Sequence, residues 1–126
     1  MIKYLLVGIG GALGSFCRWG ISYLWTIQNG LPFATLTANL LGSFLLAYFY
    51  SRCSYKYEKA YLLIATGFLG SFTTFSTLSI ELVTFLLLKQ WGMLFLYMTI
   101  TAFGGMLFAW LGFFSGRKGR VIGHGN

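Results

Sequence analysis

The stretch ATGFLGSFTTFSTLSIE, residues 65–81, decides how the chain is organised. It crowds six hydroxyl side chains into nine residues: Ser71, Thr73, Thr74, Ser76, Thr77 and Ser79. These lie inside an apolar segment, 60–88, that as one straight helix would be about 43 Å long, against a hydrocarbon core of about 30 Å. We therefore predict a helix interrupted in mid-membrane, with Gly67 and Gly70 at the break. Irregular backbone at that depth must be satisfied by protein or water and can bind ions, so we interpret the stretch as the wall of an ion pathway.

The composition is that of a membrane protein. Of the 126 residues, 57% are hydrophobic and only 9% are charged, which is more apolar surface than a soluble domain of this size can bury. Cys17 and Cys53 are far apart and have no neighbouring cluster of metal ligands, so neither a disulfide nor a zinc site is expected. No nucleophile lies beside a base, and we therefore expect a protein that is not an enzyme.

Four apolar segments predict an all-α integral membrane protein that forms a single domain. The predicted spans cover about 4–26, 33–51, 60–88 and 93–114, and a basic tail follows over 115–126. A turn at 28–32, a charged loop at 52–59 and a tight hairpin at 89–92 separate the spans. Because four helices of this size can barely enclose a polar pathway, an oligomer is expected. Glycines four residues apart, such as Gly10 and Gly14, mark faces where helices can approach closely.

The net charge of +7 reports topology. An even number of spans places both chain ends on one side, and seven basic residues share that side: Lys3, Arg52, Lys56, Lys59, Arg117, Lys118 and Arg120. The opposite side has only Lys89, if Arg18 is counted as lying within the membrane. This bias predicts that both termini face the cytoplasm.

Two polar residues inside the first two spans have alternative interpretations. Arg18 either extends its charge to the far interface or attracts an anion into a vestibule. Asn39 shares a helix face with Thr35 and Ser43, and its amide either joins two helices or points into a pore.

The third and fourth spans add further candidates. Phe72 and Phe75 would ordinarily face lipid or the core, but in a pore their ring edges, which carry partial positive charge, can face an anion. Glu81, the only acid within a span, could couple to protons, but we favour a structural role for it. Tyr97 and Thr101 align at i and i+4 and would continue a track of hydroxyls.

Three motifs carry a resemblance to a known family. They are GALGSFCR at 11–18, TLTANLLGS at 35–43 and GFLGSFTTFST at 67–77, and together they resemble the Fluc family of fluoride channels, also called CrcB. The resemblance extends over all four spans. It implies an antiparallel, dual-topology dimer in the cell membrane that exports fluoride passively and selectively and so lowers its toxicity.

The resemblance also assigns roles to residues. Along the fluoride path it places Arg18 at the vestibule, followed by Asn39, Phe75, Thr77 and Tyr97. It further implies that the backbone carbonyls of Gly70 and Thr73 hold a structural sodium ion, which is bound and not transported.

The sequence departs from the family at two positions on the path. Leu78 stands where the family has a second phenylalanine, and Gly105 stands where a serine is usual. In addition, a homodimer of opposed subunits needs nearly balanced loop charges, whereas here the bias is seven to one. We therefore favour a heterodimer with a homologous subunit of opposite orientation, in which one of the two pathways is impaired.

Two other functions remain open from the sequence. A small proton-coupled multidrug exporter would also be short and four-helical, but it needs a carboxylate in its first helix, and here Glu81 would have to serve. Leu78 and Gly105 would also fit a non-conducting assembly subunit.

Overall fold

The computed structural model describes residues 1–25, 30–52 and 57–121, and those residues are helical almost throughout, with no strand among them. The elements are α1 (Ile2–Leu24), α2 (Phe33–Arg52), α3 (Glu58–Tyr61), a π-helical segment (Leu62–Leu69), α4 (Gly70–Phe72), α5 (Ser76–Leu87) and α6 (Trp91–Val121). Parts of the predicted turn at 28–32, of the loop at 52–59 and of the tail at 115–126 lie outside the described residues.

The prediction of an all-helical membrane protein with four spans is confirmed. Within the described ranges, four helical stretches are long and apolar enough to cross a membrane: Ile2–Leu24, Phe33–Arg52, Glu58–Leu87 and Trp91–Lys118. Most of their large apolar side chains are exposed in the single chain, among them Leu13, Phe16 and Val83. In a membrane protein such side chains face lipid or a partner subunit.

The third span is broken, but the predicted position of the break was wrong. The helix continues through Gly67 and Gly70 and ends at Phe72, so that residues 73–75 form the irregular segment before α5 begins. Gly67 instead serves close packing, because a Cβ there would lie 2.7 Å from the carbonyl oxygen of Val7. Thr73 leaves the helix with φ −75° and ψ 154°, an extended conformation.

The first part of the third span packs against α1 with almost no side chain between the two backbones. A Cβ at Gly10 would overlap the carbonyl oxygen of Leu63, and one at Gly14 would overlap that of Phe68. Both acceptors belong to the π-helical segment, a wider helix that the sequence did not predict. The two predicted small residues of α1 are thus the contact points with the third span.

The fourth span packs parallel to α2 in the same manner. Cβ atoms at Gly112 and Gly116 would overlap the carbonyl oxygen of Phe44 and the hydroxyl of Ser51. Helix α6 is longer than the predicted span, because the basic segment beyond residue 114 stays helical as far as Val121. At about 1.5 Å per residue its 31 residues extend for about 46 Å, beyond the hydrocarbon core of about 30 Å.

Helix α5 meets the α2–α6 pair through a small buried core. The ring of Phe85 contacts that of Tyr97 edge to face, with centroids 5.9 Å apart. The predicted hairpin then turns at Lys89, whose φ of +56° is left-handed. This arrangement places the break of the third span between α1 and α2, near the centre of the bundle.

Candidate functional site

Asn39 holds the break in place. Its Nδ2 donates to the carbonyl oxygen of Thr74 at 3.0 Å, and its Oδ1 accepts from the Thr74 N–H at 2.8 Å. Thr74 lies outside any helix and is only 7% exposed, so its backbone groups have no intrahelical partner. One amide on α2 therefore satisfies both backbone groups of a residue on the third span. This is the helix–helix hydrogen bond that the sequence left as one alternative, and one amide hydrogen remains for another acceptor.

The Thr74 hydroxyl caps the helix that follows. Its Oγ1 accepts from the Thr77 N–H at 3.2 Å and donates to the Thr77 hydroxyl at 3.0 Å. Because α5 starts in mid-span, its N-terminal N–H groups and their partial positive charge lie at the depth of the break. The break thus places a helix N-terminus inside the membrane, in addition to the N-terminus at which the third span begins.

A cleft of about 220 Å³ opens beside this helix N-terminus. Its lining residues are Ser15, Arg18, Trp19, Ser22, Thr35, Thr74 and Thr77. Arg18 is half-buried there, and the only ion pair among the described residues is Lys3–Glu58, at 2.6 Å. The cleft therefore combines a cation, a helix N-terminus and several hydroxyls, and no carboxylate lines it. Such a lining is suited to an anion.

The carboxylate of Glu81 accepts hydrogen bonds from two hydroxyls, one of them on Thr35, which lines the cleft. Thr35 Oγ1 donates to Oε1 at 2.6 Å, and the Tyr97 hydroxyl donates to Oε2 at 2.7 Å. Tyr97 is fully buried. This unit of three side chains was not foreseen as a unit, because its members are distant in sequence. The i, i+4 spacing of Thr35 and Asn39 was the one signal that both side chains face the third span.

The remaining predicted path residues are not gathered in the cleft. Phe75 is 80% exposed, and Leu78 is half-buried elsewhere on α5. Thr101, one turn after Tyr97, has a buried hydroxyl without a hydrogen-bond partner among the described residues. Gly105 faces α2, since a Cβ there would lie 3.8 Å from the Ser43 hydroxyl oxygen. Of the predicted path residues, Arg18 and Thr77 line the cleft, and Asn39 reaches it through Thr74.

The crowded hydroxyls of the third span have mostly local partners. The hydroxyls of Thr73 and Ser79 each donate to the carbonyl oxygen four residues earlier in the chain, at 3.0 and 2.9 Å. Ser71 donates to the carbonyl of Gly11 and lies 3.1 Å from the Ser15 hydroxyl. Only Thr74 and Thr77 of the six line the cleft.

Comparisons with known proteins agree on one family. The family model described as CrcB-like protein, Camphor Resistance (CrcB), matches residues 5–113. The chain is 42% identical over 119 residues to "Fluoride-specific ion channel FluC 1" of Geobacillus kaustophilus, which covers 93% of this chain and all of that protein. It is 37% identical over 127 residues to "Fluoride-specific ion channel FluC 2" of the same organism, covering 97% and 98%. It is 40% identical over 114 residues to a FluC 2 protein of Staphylococcus haemolyticus, covering 88% and 93%.

Proposed function

The chain belongs to the CrcB family, and we propose that it is a subunit of a fluoride-specific ion channel through which fluoride leaves the cell passively. One feature of the site supports this function above the others. Arg18 and the capped N-terminus of α5 face the same cleft, and no carboxylate lines it. That arrangement lowers the energy of a small anion within the membrane.

Fluoride is a small, strongly hydrated acceptor, so its path must replace water by hydrogen-bond donors. The guanidinium of Arg18 attracts the ion into the cleft, and the hydroxyls of Thr74 and Thr77 line its wall. The spare amide hydrogen of Asn39 and the ring edge of Phe75 continue the path. Thr101 extends it on α6, where its hydroxyl has no hydrogen-bond partner among the described residues. The Tyr97 hydroxyl, also predicted on the path, donates to Glu81, so Tyr97 could offer the path only its ring.

A proton-coupled exporter is not favoured. Such a mechanism needs a carboxylate that alternates between proton and substrate, and α1 contains none. Both oxygens of Glu81 already accept hydrogen bonds, from Thr35 and Tyr97, and this supports a structural role for the carboxylate.

The end of α4 suits the structural sodium ion that the family implies. No hydrogen bond to the carbonyl oxygen of Gly70 or Thr73 is present among the described residues. Sodium prefers oxygen ligands, and a broken helix supplies carbonyls that are free of the helical ladder. We therefore assign these two carbonyls to the sodium site, where the ion would neutralise their partial charge and stabilise the break.

The exposed break also supports a dimer. Residues 73–75 are irregular at mid-membrane depth, and Phe75 and Ser76 are exposed in the single chain. Lipid cannot satisfy irregular backbone, so a second subunit must cover this surface. An antiparallel partner would place its own break against this one.

We favour a homologous subunit of opposite orientation over a second copy as that partner. Seven basic residues at one end against one at the other favour a single orientation of this chain, with both termini in the cytoplasm. We further infer that the protein lies in the plasma membrane. The relatives in Geobacillus kaustophilus, named FluC 1 and FluC 2, show that two such proteins occur in one organism. Leu78 and Gly105 would then weaken one pathway of the pair. The space beside Gly105 would admit a serine close to Ser43.

Fluoride efflux from liposomes, read with a fluoride electrode, tests this function. One preparation contains this chain alone, and another contains it with a homologue from the same genome. Efflux only from the pair supports the heterodimer, whereas efflux from the chain alone supports a homodimer. If neither preparation conducts although both contain folded protein, the channel function is wrong, and the alternative of a non-conducting assembly subunit is favoured. The variant Arg18→Gln is the control for specificity, because it removes the cation of the cleft and should slow efflux.

A further inference from the structure

Most of the hydroxyl protons in the cleft have an acceptor elsewhere in the protein. The hydroxyl residues that line the cleft are Ser15, Ser22, Thr35, Thr74 and Thr77. The Ser22 hydroxyl donates to the carbonyl oxygen of Arg18 at 3.1 Å, and the Thr74 hydroxyl donates to that of Thr77 at 3.0 Å. Because a hydroxyl has only one proton, neither Ser22 nor Thr74 can donate to an anion without breaking a hydrogen bond within the protein.

The protons of Ser15 and Thr35 are used in the same way. The Ser71 hydroxyl already donates to a carbonyl oxygen of α1, so its oxygen can only accept the proton of Ser15, whose oxygen is 3.1 Å away. Thr35 donates to Oε1 of Glu81 at 2.6 Å. Among the cleft hydroxyls of the described chain, only that of Thr77 therefore has a proton without an acceptor in the protein.

Thr35 differs from the other cleft residues because its acceptor is an ionisable side chain. A carboxylate has no proton and can only accept, and both oxygens of Glu81 do so, Oε1 from Thr35 and Oε2 from Tyr97 at 2.7 Å. The Thr35 oxygen is thus left with lone pairs and no proton for any further partner. Lone pairs oppose an anion, although Thr35 lines the cleft.

An amide in place of the carboxylate would reverse the hydrogen bond to Thr35. Tyr97 is 0% exposed, so its hydroxyl proton cannot turn to water and needs the amide oxygen as its acceptor. The amide N–H group is then left for the Thr35 oxygen. The Thr35 proton is released, and it becomes available to an anion in the cleft.

We propose that Glu81 controls whether the Thr35 hydroxyl can donate to an anion in the cleft. The inference rests on the proposed fluoride path and deepens it, because Glu81 is then a positioning residue that acts on the path through Thr35. By holding the Thr35 proton, the carboxylate leaves Thr77 as the one free hydroxyl donor among the described cleft residues. Conduction requires that an ion bind well enough to enter and weakly enough to leave, and a limited number of donors meets the second condition.

A double-mutant cycle on fluoride affinity tests this control. Fluoride dissociation constants are measured by fluorine nuclear magnetic resonance in detergent micelles, for the same two protein preparations as in the efflux assay. The variants are Glu81→Gln, Thr35→Val and the two combined. An added hydrogen bond to an ion changes affinity about tenfold, so Glu81→Gln should tighten fluoride binding about tenfold more when Thr35 is present than when valine replaces it. The loss of negative charge acts in both backgrounds, so the cycle cancels it.

Matched variants separate the hydroxyl from the charge. Thr35→Ser keeps the hydroxyl and should retain the coupling. Glu58→Gln removes an acid that pairs with Lys3 outside the cleft, and should change the affinity by less than about twofold. Circular dichroism verifies that each variant is folded, and Thr35→Ala takes the place of Thr35→Val if the latter is not.

Binding and conduction are measured separately, so that the two proposals can fail separately. Equal tightening by Glu81→Gln in both backgrounds, no tightening, or no fluoride binding by any variant would each overturn the control by Glu81. If the wild type conducts while the cycle shows no coupling, the channel stands and Glu81 does not act through Thr35. If neither preparation conducts, the channel function fails, and the fluoride affinities still decide whether Glu81 acts on the cleft.

Discussion

The amide of Asn39 should contribute more to stability than an ordinary polar contact between membrane helices. Asn39→Ala removes both hydrogen bonds to the Thr74 backbone and leaves an N–H and a C=O unpaired in a residue that is 7% exposed. A typical side-chain hydrogen bond between membrane helices contributes only about 0.6 kcal/mol, because the separated helices find other partners. Each buried group left without a partner costs about 1–3 kcal/mol. The cost of an unpaired buried group is the magnitude that applies here, since the backbone of Thr74 has no helical hydrogen bond to form instead. With two such groups, we expect a loss of about 2–6 kcal/mol.

The assay is equilibrium unfolding of the purified chain in mixed micelles with increasing sodium dodecyl sulfate, followed by tryptophan fluorescence. Ser43→Ala is the matched control, because Ser43 lies one turn along the same helix but donates only to the carbonyl of Asn39. Its loss should be much smaller. Asn39→Asp keeps the acceptor for the Thr74 N–H but places an oxygen against the Thr74 carbonyl. The stability of this variant should therefore lie between that of Asn39→Ala and that of Ser43→Ala. If Asn39→Ala unfolds at the same detergent fraction as Ser43→Ala, the amide does not hold the break and serves the path alone.

Three further perturbations follow from the packing. Gly10→Ala places a methyl group on a backbone carbonyl of the third span and should prevent stable folding, whereas Gly8→Ala meets nothing within 4 Å and should leave the unfolding transition unchanged; equal behaviour of the two in size-exclusion chromatography would contradict the close approach. Tyr97→Phe keeps the contact with the ring of Phe85 but removes a donor from Glu81, and should lower the free energy of unfolding by about 1–3 kcal/mol; an unchanged free energy would mean that the carboxylate is satisfied otherwise. Lys89→Gly relieves a left-handed residue at the end of α5 and should raise stability by about 0.5–1 kcal/mol, which a thermal scan would detect.

The parts of the fold that depend on local pattern could be predicted from the sequence. Span number, the broken third span and the use of Gly10 as a contact point follow from segment length, hydropathy and residue size, all of which are read along one stretch. The position of the break could not be read in this way. Gly67 and Gly70 looked like the weak point because glycine favours irregular backbone, but Gly67 is used for close packing on α1. The actual break depends on Asn39, which is 35 residues away along the chain.

The candidate site shows the same division between local and distant information. Arg18, Asn39 and Thr77 were identified by residue type, since polar groups within a span need a reason. Their grouping depended on helix packing. Tyr97 was expected on the path beside Thr101, and its hydroxyl is directed to Glu81. The sequence gives no pairing between a tyrosine on α6 and a glutamate on α5, because that contact depends on the register of the hairpin at Lys89.

Two hydroxyl residues of the third span, Thr74 and Thr77, lie both at the broken backbone and in the lining of the cleft. Thr74 is the clearest case, because Asn39 holds its backbone, its hydroxyl caps α5, and its side chain lines the cleft beside Arg18. In a helix that ran straight through residues 73–75, the N–H groups at the start of α5 would all form helical hydrogen bonds. Such a helix would have no N-terminus at mid-membrane. The break therefore does not merely make room for an ion. It is the means by which an apolar chain with few charged residues brings fixed donors to the depth where an anion is hardest to stabilise.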